Sequence, residues 1–123
     1  MFTYYNVRPD GNHENDCVCR AIAVATGLNY NAVNKLLSVT AYLNDCDKLC
    51  ICCYHYLLED LLGYQCIKCK HFENKKVKDI AKLHKSDKVL IRIEGHLTVS
   101  IYGNVLDIWD CTNEKVDCYW LIK

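Results

Sequence analysis

The sequence lacks the features that mark membrane-spanning and exported proteins. No run of apolar residues approaches the length of a bilayer span. The first eight residues, MFTYYNVR, contain no basic region followed by an apolar one. Internal repeats and low-complexity linkers are also missing. We therefore expect a cytoplasmic protein with no membrane partner, folded as a single domain over residues 1–123.

The formal net charge is zero, because fifteen Lys and Arg residues balance fifteen Asp and Glu residues. The distribution is nevertheless uneven. Between Lys68 and Lys88, eight lysines stand against three acidic residues, and the stretch contains no arginine. A charge run of this kind is typical of a solvated helix face, so the sequence does not favour a nucleic-acid partner.

Cysteine is abundant, yet its spacing lacks the pattern of a structural zinc site. Ten cysteines are present, with one C-x-x-C pair at Cys66 and Cys69 and four cysteines between positions 46 and 53. No second C-x-x-C pair or H-x3-H pair follows at the usual distance. Many of the cysteines lie in periodic apolar segments, where cysteine acts as a small hydrophobic residue. We expect reduced thiols with neither a cofactor nor a metal, and keep a metal in the cysteine-rich middle as an alternative.

One cysteine stands in the first turn of a predicted helix. Asn15 or Asp16 can cap this helix, Gly27 can end it, and the residues between are mostly small and apolar. Such a helix is buried. The unpaired N–H groups and dipole at a helix start favour a thiolate and can stabilise an oxyanion. Cys17 is therefore a candidate nucleophile, with a small buried residue as the alternative interpretation.

The rest of the chain divides into a helical part and a strand-rich part. Apolar spacing predicts helices over 28–37, 49–62 and 77–83. The aromatic, β-prone residues 2–7 predict an edge strand or an extended arm. Further strands are predicted at 64–70, 88–93, 96–102, 105–110 and 118–122. The order predicts an α+β fold in which N-terminal helices pack on a C-terminal antiparallel β-sheet arranged as a meander.

A histidine opens one of these strands, and the following hairpin carries acidic residues back towards it. If the hairpin register centres on Gly103, His96 lies opposite Asp110 on the same face of the sheet. If the turn is a two-residue loop of Gly103 and Asn104, Asp107 shares the face of His96 but lies about 13 Å away. We favour Asp110 as the acid that orients His96 and keep Asp107 as the alternative.

Polar residues just before Cys17 are candidates for the oxyanion site. Asn12 and Asn15 can each donate a hydrogen bond to a carbonyl oxygen that a thiolate attacks. Capping of the helix is the other role open to Asn15.

The order of these pieces resembles papain-like cysteine peptidases. Segments 16–27 (DCVCRAIAVATG), 95–101 (GHLTVSI) and 107–110 (DIWD) resemble small phage and bacterial proteins that look like minimal members of that group, similar in outline to bacteriocin-processing peptidase domains. The resemblance implies that Cys17 is the nucleophile, His96 the base and Asp110 the orienting acid. It also implies a peptide or isopeptide bond in a protein or peptide substrate, cleaved through an acyl-thioester. A glutamine shortly before Cys17 is missing, so Asn12 or Asn15 would have to supply the oxyanion donor.

Other functions fit the same sequence. An acyl transferase that uses an amine instead of water has the same residues. A catalytically weak papain-like fold, encoded by a phage and present in the host cytoplasm, is an alternative that would bind or inhibit a host protein through the lysine-rich stretch 68–88. A basic nucleic-acid module is the third hypothesis, and it requires salt-dependent retention on DNA or RNA.

Overall fold

A computed structural model describes residues 1–12 and 16–123, and within these ranges the chain forms four α-helices and a six-stranded sheet. The helices are α1 (Cys17–Thr26), α2 (Tyr30–Asn44), α3 (Ile51–His55) and α4 (Val77–Leu83). The strands are β1 (Phe2–Tyr4), β2 (Cys66–Lys68), β3 (Lys88–Ile93), β4 (His96–Ile101), β5 (Asn104–Asp107) and β6 (Val116–Ile122). The expected α+β class is confirmed.

The strand order in the sheet is β1-β5-β4-β3-β6-β2. The predicted meander holds for β3, β4 and β5, but β6 crosses back to pair with β3 instead of continuing beyond β5. The physical reason lies in β3, where Val89, Leu90 and Ile91 are all fully buried. A strand covered on both faces belongs in the middle of a sheet, with a neighbour on each side.

The first strand also departs from the antiparallel prediction, because β1 pairs with β5 in parallel. Its backbone contacts continue beyond the strand at both ends. The N–H of Val105 donates to the carbonyl of Met1 at 2.9 Å, and the N–H of Tyr5 donates to the carbonyl of Asp107 at 2.9 Å. The beginning of the chain is thereby attached to the strand that ends at Asp107.

Helices cover both faces of the sheet. On one face, α1, α2 and α3 bury a core that includes Leu90 and Trp120 of the central strands. On the other face, Val77 and Ile80 of α4 pack in a second core with Val89. The helix α1 packs against β4, the strand that begins at His96.

The buried helix α1 forms as the sequence predicts, with one difference at its start. Gly27 ends it in the left-handed conformation, with φ of 75°. Asp16 occupies the N-cap position but makes no side-chain cap hydrogen bond. Its carboxylate instead pairs with Arg20 one turn later and accepts a hydrogen bond from the hydroxyl of Tyr30 at 2.6 Å. The expected capping by the side chain of Asp16 is therefore wrong.

The predicted helix over 49–62 is divided into two parts. After α3, residues Tyr56–Leu61 form a π-helical turn, in which the N–H of Leu62 donates to the carbonyl of Leu57 at 3.0 Å. A π-helical turn is wider than an α-helical turn, and neighbouring Leu57 and Leu58 are both buried here. Gly63 follows with φ of 75°, as the predicted end of the helix requires.

The lysine-rich stretch 68–88 lies at the surface. Six of its eight lysines are exposed and the other two are half-buried. On α4 the buried residues are Val77, Ile80 and Ala81, so the lysines of this helix take its solvent side. Within the described ranges, no helix has the length and apolar character that a bilayer crossing requires.

Candidate active site

Cys17 is the first residue of α1, and its half-buried side chain borders a cavity of about 190 Å³. The cavity lies between the start of α1, the segment that leads into α3, and the start of β4. Its lining residues are Cys17, Val18, Leu49, Ile51, Tyr54, Arg92, Gly95, His96 and Leu97. The structure thus brings Cys17 and His96, predicted as nucleophile and base, to the same cavity.

His96 is held by a carboxylate on its far side. Its Nε2 lies 2.7 Å from Oδ2 of Asp107, and the two side chains are only 12% and 5% exposed. The other oxygen of Asp107 accepts a hydrogen bond from the N–H of Ile108 at 2.7 Å. The indole of Trp109 packs against the imidazole in a T-shaped arrangement, with ring centroids 5.0 Å apart. Because Asp107 engages Nε2, Nδ1 is the ring nitrogen left for Cys17.

The electrostatics of Cys17 and His96 favour a charge-separated pair. Burial alone raises the pKa of the Cys17 thiol, but hydrogen bonds from His96 and the N–H of Leu97 outweigh it and bring the pKa below its ordinary value. Burial alone lowers the pKa of His96, but hydrogen bonds to Asp107, Cys111 and Cys17 outweigh it and raise the pKa to about 11. Both shifts favour a thiolate beside an imidazolium over the neutral pair.

The prediction that Asp110 orients His96 is wrong. The carboxylate of Asp110 is exposed and accepts hydrogen bonds from the backbone N–H and the hydroxyl of Thr112, at 3.2 and 2.7 Å. Asp110 therefore stabilises the turn after β5. Asp107, the alternative, is the residue that contacts His96.

The reason for this error is the register of the β4–β5 hairpin. Ile101 pairs with Asn104, so the loop consists of Tyr102 and Gly103, both at positive φ (50° and 85°). This is a two-residue turn of the kind that suits a hairpin, with tyrosine in place of the usual asparagine or glycine. Continued along the strands, the register places Asp107 opposite Thr98, two residues from His96 on the same face. A diagonal neighbour at that distance lies within reach of a side chain.

The first N–H groups of α1 are candidate oxyanion donors, because Cys17 at the start of this helix borders the cavity. The first N–H groups of a helix have no partner within it, and Asp16 does not cap them with its side chain. The predicted donor Asn12 is exposed and does not border the cavity beside Cys17. Its backbone N–H instead donates a hydrogen bond to the carboxylate of Asp10 at 3.0 Å. The other predicted donor, Asn15, lies outside the described residues.

Two residues of the cavity wall were not predicted from the sequence. Nε of Arg92 donates to the hydroxyl of Tyr54 at 3.0 Å, and its Nη1 lies 2.9 Å from the carboxylate of Asp117. Arg92 had a local signal, since it is the one charged residue among the apolar residues of 89–93. Tyr54 had none, because a tyrosine in an apolar helix is typical of core packing.

Cys19 provides an internal comparison for the reactivity of Cys17. It lies two residues after Cys17 in α1 and is buried. Its thiol donates a hydrogen bond to the carbonyl oxygen of Tyr30, at a distance of 3.4 Å. Burial raises the pKa of this thiol to about 11. As the sequence predicts, Cys19 is on a different face of the helix and does not border the cavity of Cys17.

The pH dependence of alkylation tests the pairing of Cys17 with His96. In the unchanged protein, the alkylation rate of Cys17 is expected to rise through a pKa below that of an ordinary thiol. His96→Gln is expected to move this pKa upwards, because burial of the thiol persists while the charged hydrogen-bond donor is lost. Mass-spectrometric alkylation rates across pH give both values.

The matched control for that experiment is His84→Gln. His84 is also half-buried and also lies beside a carboxylate, with Nδ1 3.3 Å from Asp87, but it does not border the cavity of Cys17. It is expected to leave the pKa of Cys17 unchanged. An unchanged pKa in His96→Gln would contradict the pairing.

No protein family, curated protein or solved structure matches the chain.

Proposed function

We propose that this protein is a papain-like cysteine hydrolase that cleaves a peptide or isopeptide bond with Cys17, His96 and Asp107. The observation that carries the proposal is the buried 2.7 Å contact between His96 and Asp107, made beside a thiol at the start of a helix. Each residue then has a role that its surroundings support: nucleophile, base and orienting acid. The order of the chain, with a cysteine helix before a sheet that carries the histidine and the acid, supports the papain-like assignment.

The first half of the reaction forms an acyl-enzyme. The thiolate of Cys17 attacks the carbonyl carbon, a C–S bond forms, and the carbonyl π electrons move onto oxygen. The first-turn N–H groups of α1 stabilise this oxyanion. As the tetrahedral intermediate collapses, the C–N bond breaks and the imidazolium of His96 gives its proton to the departing amine.

The second half releases the acyl group. Neutral His96 accepts a proton from water as the water oxygen attacks the thioester carbon, and the C–S bond then breaks to release the acid. The proton stays on His96 and the thiolate of Cys17 is restored, so the starting ion pair is regenerated. An amine in place of water would make the same steps a transfer reaction.

The cavity favours an apolar group next to the reacting carbonyl. Leu49, Ile51 and Tyr54 form an apolar wall, and the charge of Arg92 is balanced by Asp117. A cavity of about 190 Å³ accommodates one medium-sized side chain. We therefore propose substrates with an aliphatic residue on the acyl side of the cleaved bond.

Selective alkylation below neutral pH tests the enzyme proposal without knowledge of the substrate. With limiting iodoacetamide at about pH 6, Cys17 is expected to react at least about tenfold faster than Cys19 or Cys111, because only thiolates react. Peptide mapping by mass spectrometry gives the rate at each cysteine. Equal rates at Cys17 and Cys19 in the folded protein would remove the basis for the hydrolase.

A further inference from the structure

A second cluster of ligating side chains lies where α3, β2 and β6 meet. His55, Cys66 and Cys118 each offer one ligand atom, and these three atoms lie within 4.8 Å of one another. Cys118 is buried and the other two residues are half-buried. We propose that His55, Cys66 and Cys118 form a binding site for a zinc ion.

The donor set fits zinc in both chemistry and size. Zinc binds cysteine sulfur and histidine nitrogen in tetrahedral sites, and ligand atoms at the usual bond lengths are about 3.5–3.8 Å apart. The three atoms here lie within 4.8 Å of one another, at most about 1.3 Å beyond that spacing. Three protein ligands leave a fourth position for water.

The ring of His55 is already oriented for this role. Its Nδ1 lies 3.3 Å from Oε2 of Glu59, one helical turn later, so Nε2 is the ring nitrogen that this contact leaves for a metal ion. Histidines that bind metals commonly donate their other ring N–H to a carboxylate in this way. The ring also packs edge-on against Trp120, with centroids 4.9 Å apart, which fixes its plane.

The sheet register brings the two sulfurs together. Cys66 pairs with Trp120 and Lys68 pairs with Cys118, so Cys66 and Cys118 are diagonal neighbours on one face of β2 and β6. Cys69, the other cysteine of the C-x-x-C pair, packs instead with the core on the opposite face. The sequence predicted no metal because the partner of Cys66 is distant in the chain, whereas the nearby cysteine points elsewhere.

Zinc binding here requires the loss of two protons. Burial raises the pKa of the Cys66 thiol and raises that of Cys118 to about 12, so both are neutral thiols in the metal-free protein. The ion displaces one proton from each sulfur, and binding tightens as pH rises. The bound ion would join the three-residue strand β2 to α3, next to Tyr54 of the cavity wall.

Cobalt(II) substitution tests the site through its spectrum, independently of any hydrolase activity. Reduced, metal-free protein titrated anaerobically with Co²⁺ is expected to develop thiolate-to-cobalt charge-transfer absorption and the strong visible bands of a tetrahedral ion. Zn²⁺ is expected to displace the cobalt. Cys66→Ser is expected to weaken binding by about 100-fold or more, because one of three protein ligands is lost.

Two serine variants serve as matched controls. Cys69→Ser changes the other cysteine of the same C-x-x-C pair, and Cys52→Ser changes the exposed member of the cysteine group at 46–53. Both are expected to keep the spectrum and the affinity. Without metal, Cys66→Ser and the unchanged protein are expected to unfold at similar temperatures, and zinc is expected to raise this temperature only in proteins that retain Cys66.

Three results would overturn the zinc site. The first is a cobalt spectrum without thiolate charge transfer in the unchanged protein. The second is an affinity in Cys66→Ser equal to that of the unchanged protein. The third is loss of binding in Cys52→Ser, which would locate the metal in the cysteine group at 46–53.

Discussion

The protein is expected to release a burst of p-nitrophenolate from p-nitrophenyl acetate, and Cys17→Ala is expected to abolish it, lowering the acylation rate by about 10⁴-fold or more. Both Cys17 and His96 border the 190 Å³ cavity, and among the described residues Cys17 carries the one thiol that does so. The variant removes this thiol. The C–S bond of the acyl-enzyme then has no atom from which to form. Stopped-flow absorbance measures the burst, and intact-protein mass spectrometry detects the acetyl thioester on Cys17.

The control is Cys52→Ala, which removes an exposed thiol outside the cavity. It is expected to keep the full burst. A burst of normal amplitude in Cys17→Ala, with the fold intact by circular dichroism, would rule out Cys17 as the nucleophile. A binding protein that acts through the lysine-rich stretch 68–88 would then be the better description.

Asp107→Asn is expected to slow acylation by about 10³-fold, whereas Asp110→Asn is expected to change it by less than about twofold. Asp107 stabilises the protonated imidazole and fixes the ring through its 2.7 Å contact with Nε2. An amide keeps the shape but not the charge, so the pKa of His96 falls and the ion pair with Cys17 is lost. Asp110 contacts Thr112 and affects only the turn.

Acylation rates and the pH profile of alkylation at Cys17 measure this comparison. Asp107→Asn is expected to shift the profile, and Asp110→Asn is expected to leave it in place. The reverse order of effects would mean that the acid was assigned to the wrong residue of the 107–110 segment.

The elements predicted best from the sequence are those with local signals. The small apolar residues of α1 and the glycine at position 27 define one buried helix by themselves. The alternation after His96 defines β4 in the same way. Both catalytic candidates with such signals, Cys17 and His96, border the same cavity in the structure.

The acid that contacts His96, Asp107, was predicted only as the alternative to Asp110, because the choice depends on the hairpin register. Tyrosine at positive φ carries a steric cost, so sequence reasoning starts the turn at Gly103 and not at Tyr102. A shift of the register by one residue moves a strand's side chains to the other face, and a shift by two changes which acid is near His96. Local sequence patterns do not determine the register of this hairpin.

Long-range pairing explains the remaining differences. Whether β6 follows β5 or returns to β3 is decided by the burial of β3 on both faces, a property of the assembled sheet. The approach of Cys66 to Cys118 likewise depends on how β2 meets β6. Neither arrangement has a signature in a short window of sequence.

The parallel pairing of β1 with β5 helps to hold Asp107, the proposed orienting acid, in position. Residues 2–4 run along the outside of the strand that ends at Asp107, and the N–H of Tyr5 holds the carbonyl of Asp107 itself. If a protease trimmed these residues, β5 would become an unprotected edge and the acid would lose part of its backbone anchorage. Loss of these residues is thus expected to weaken the proposed hydrolase without altering Cys17, His96 or Asp107.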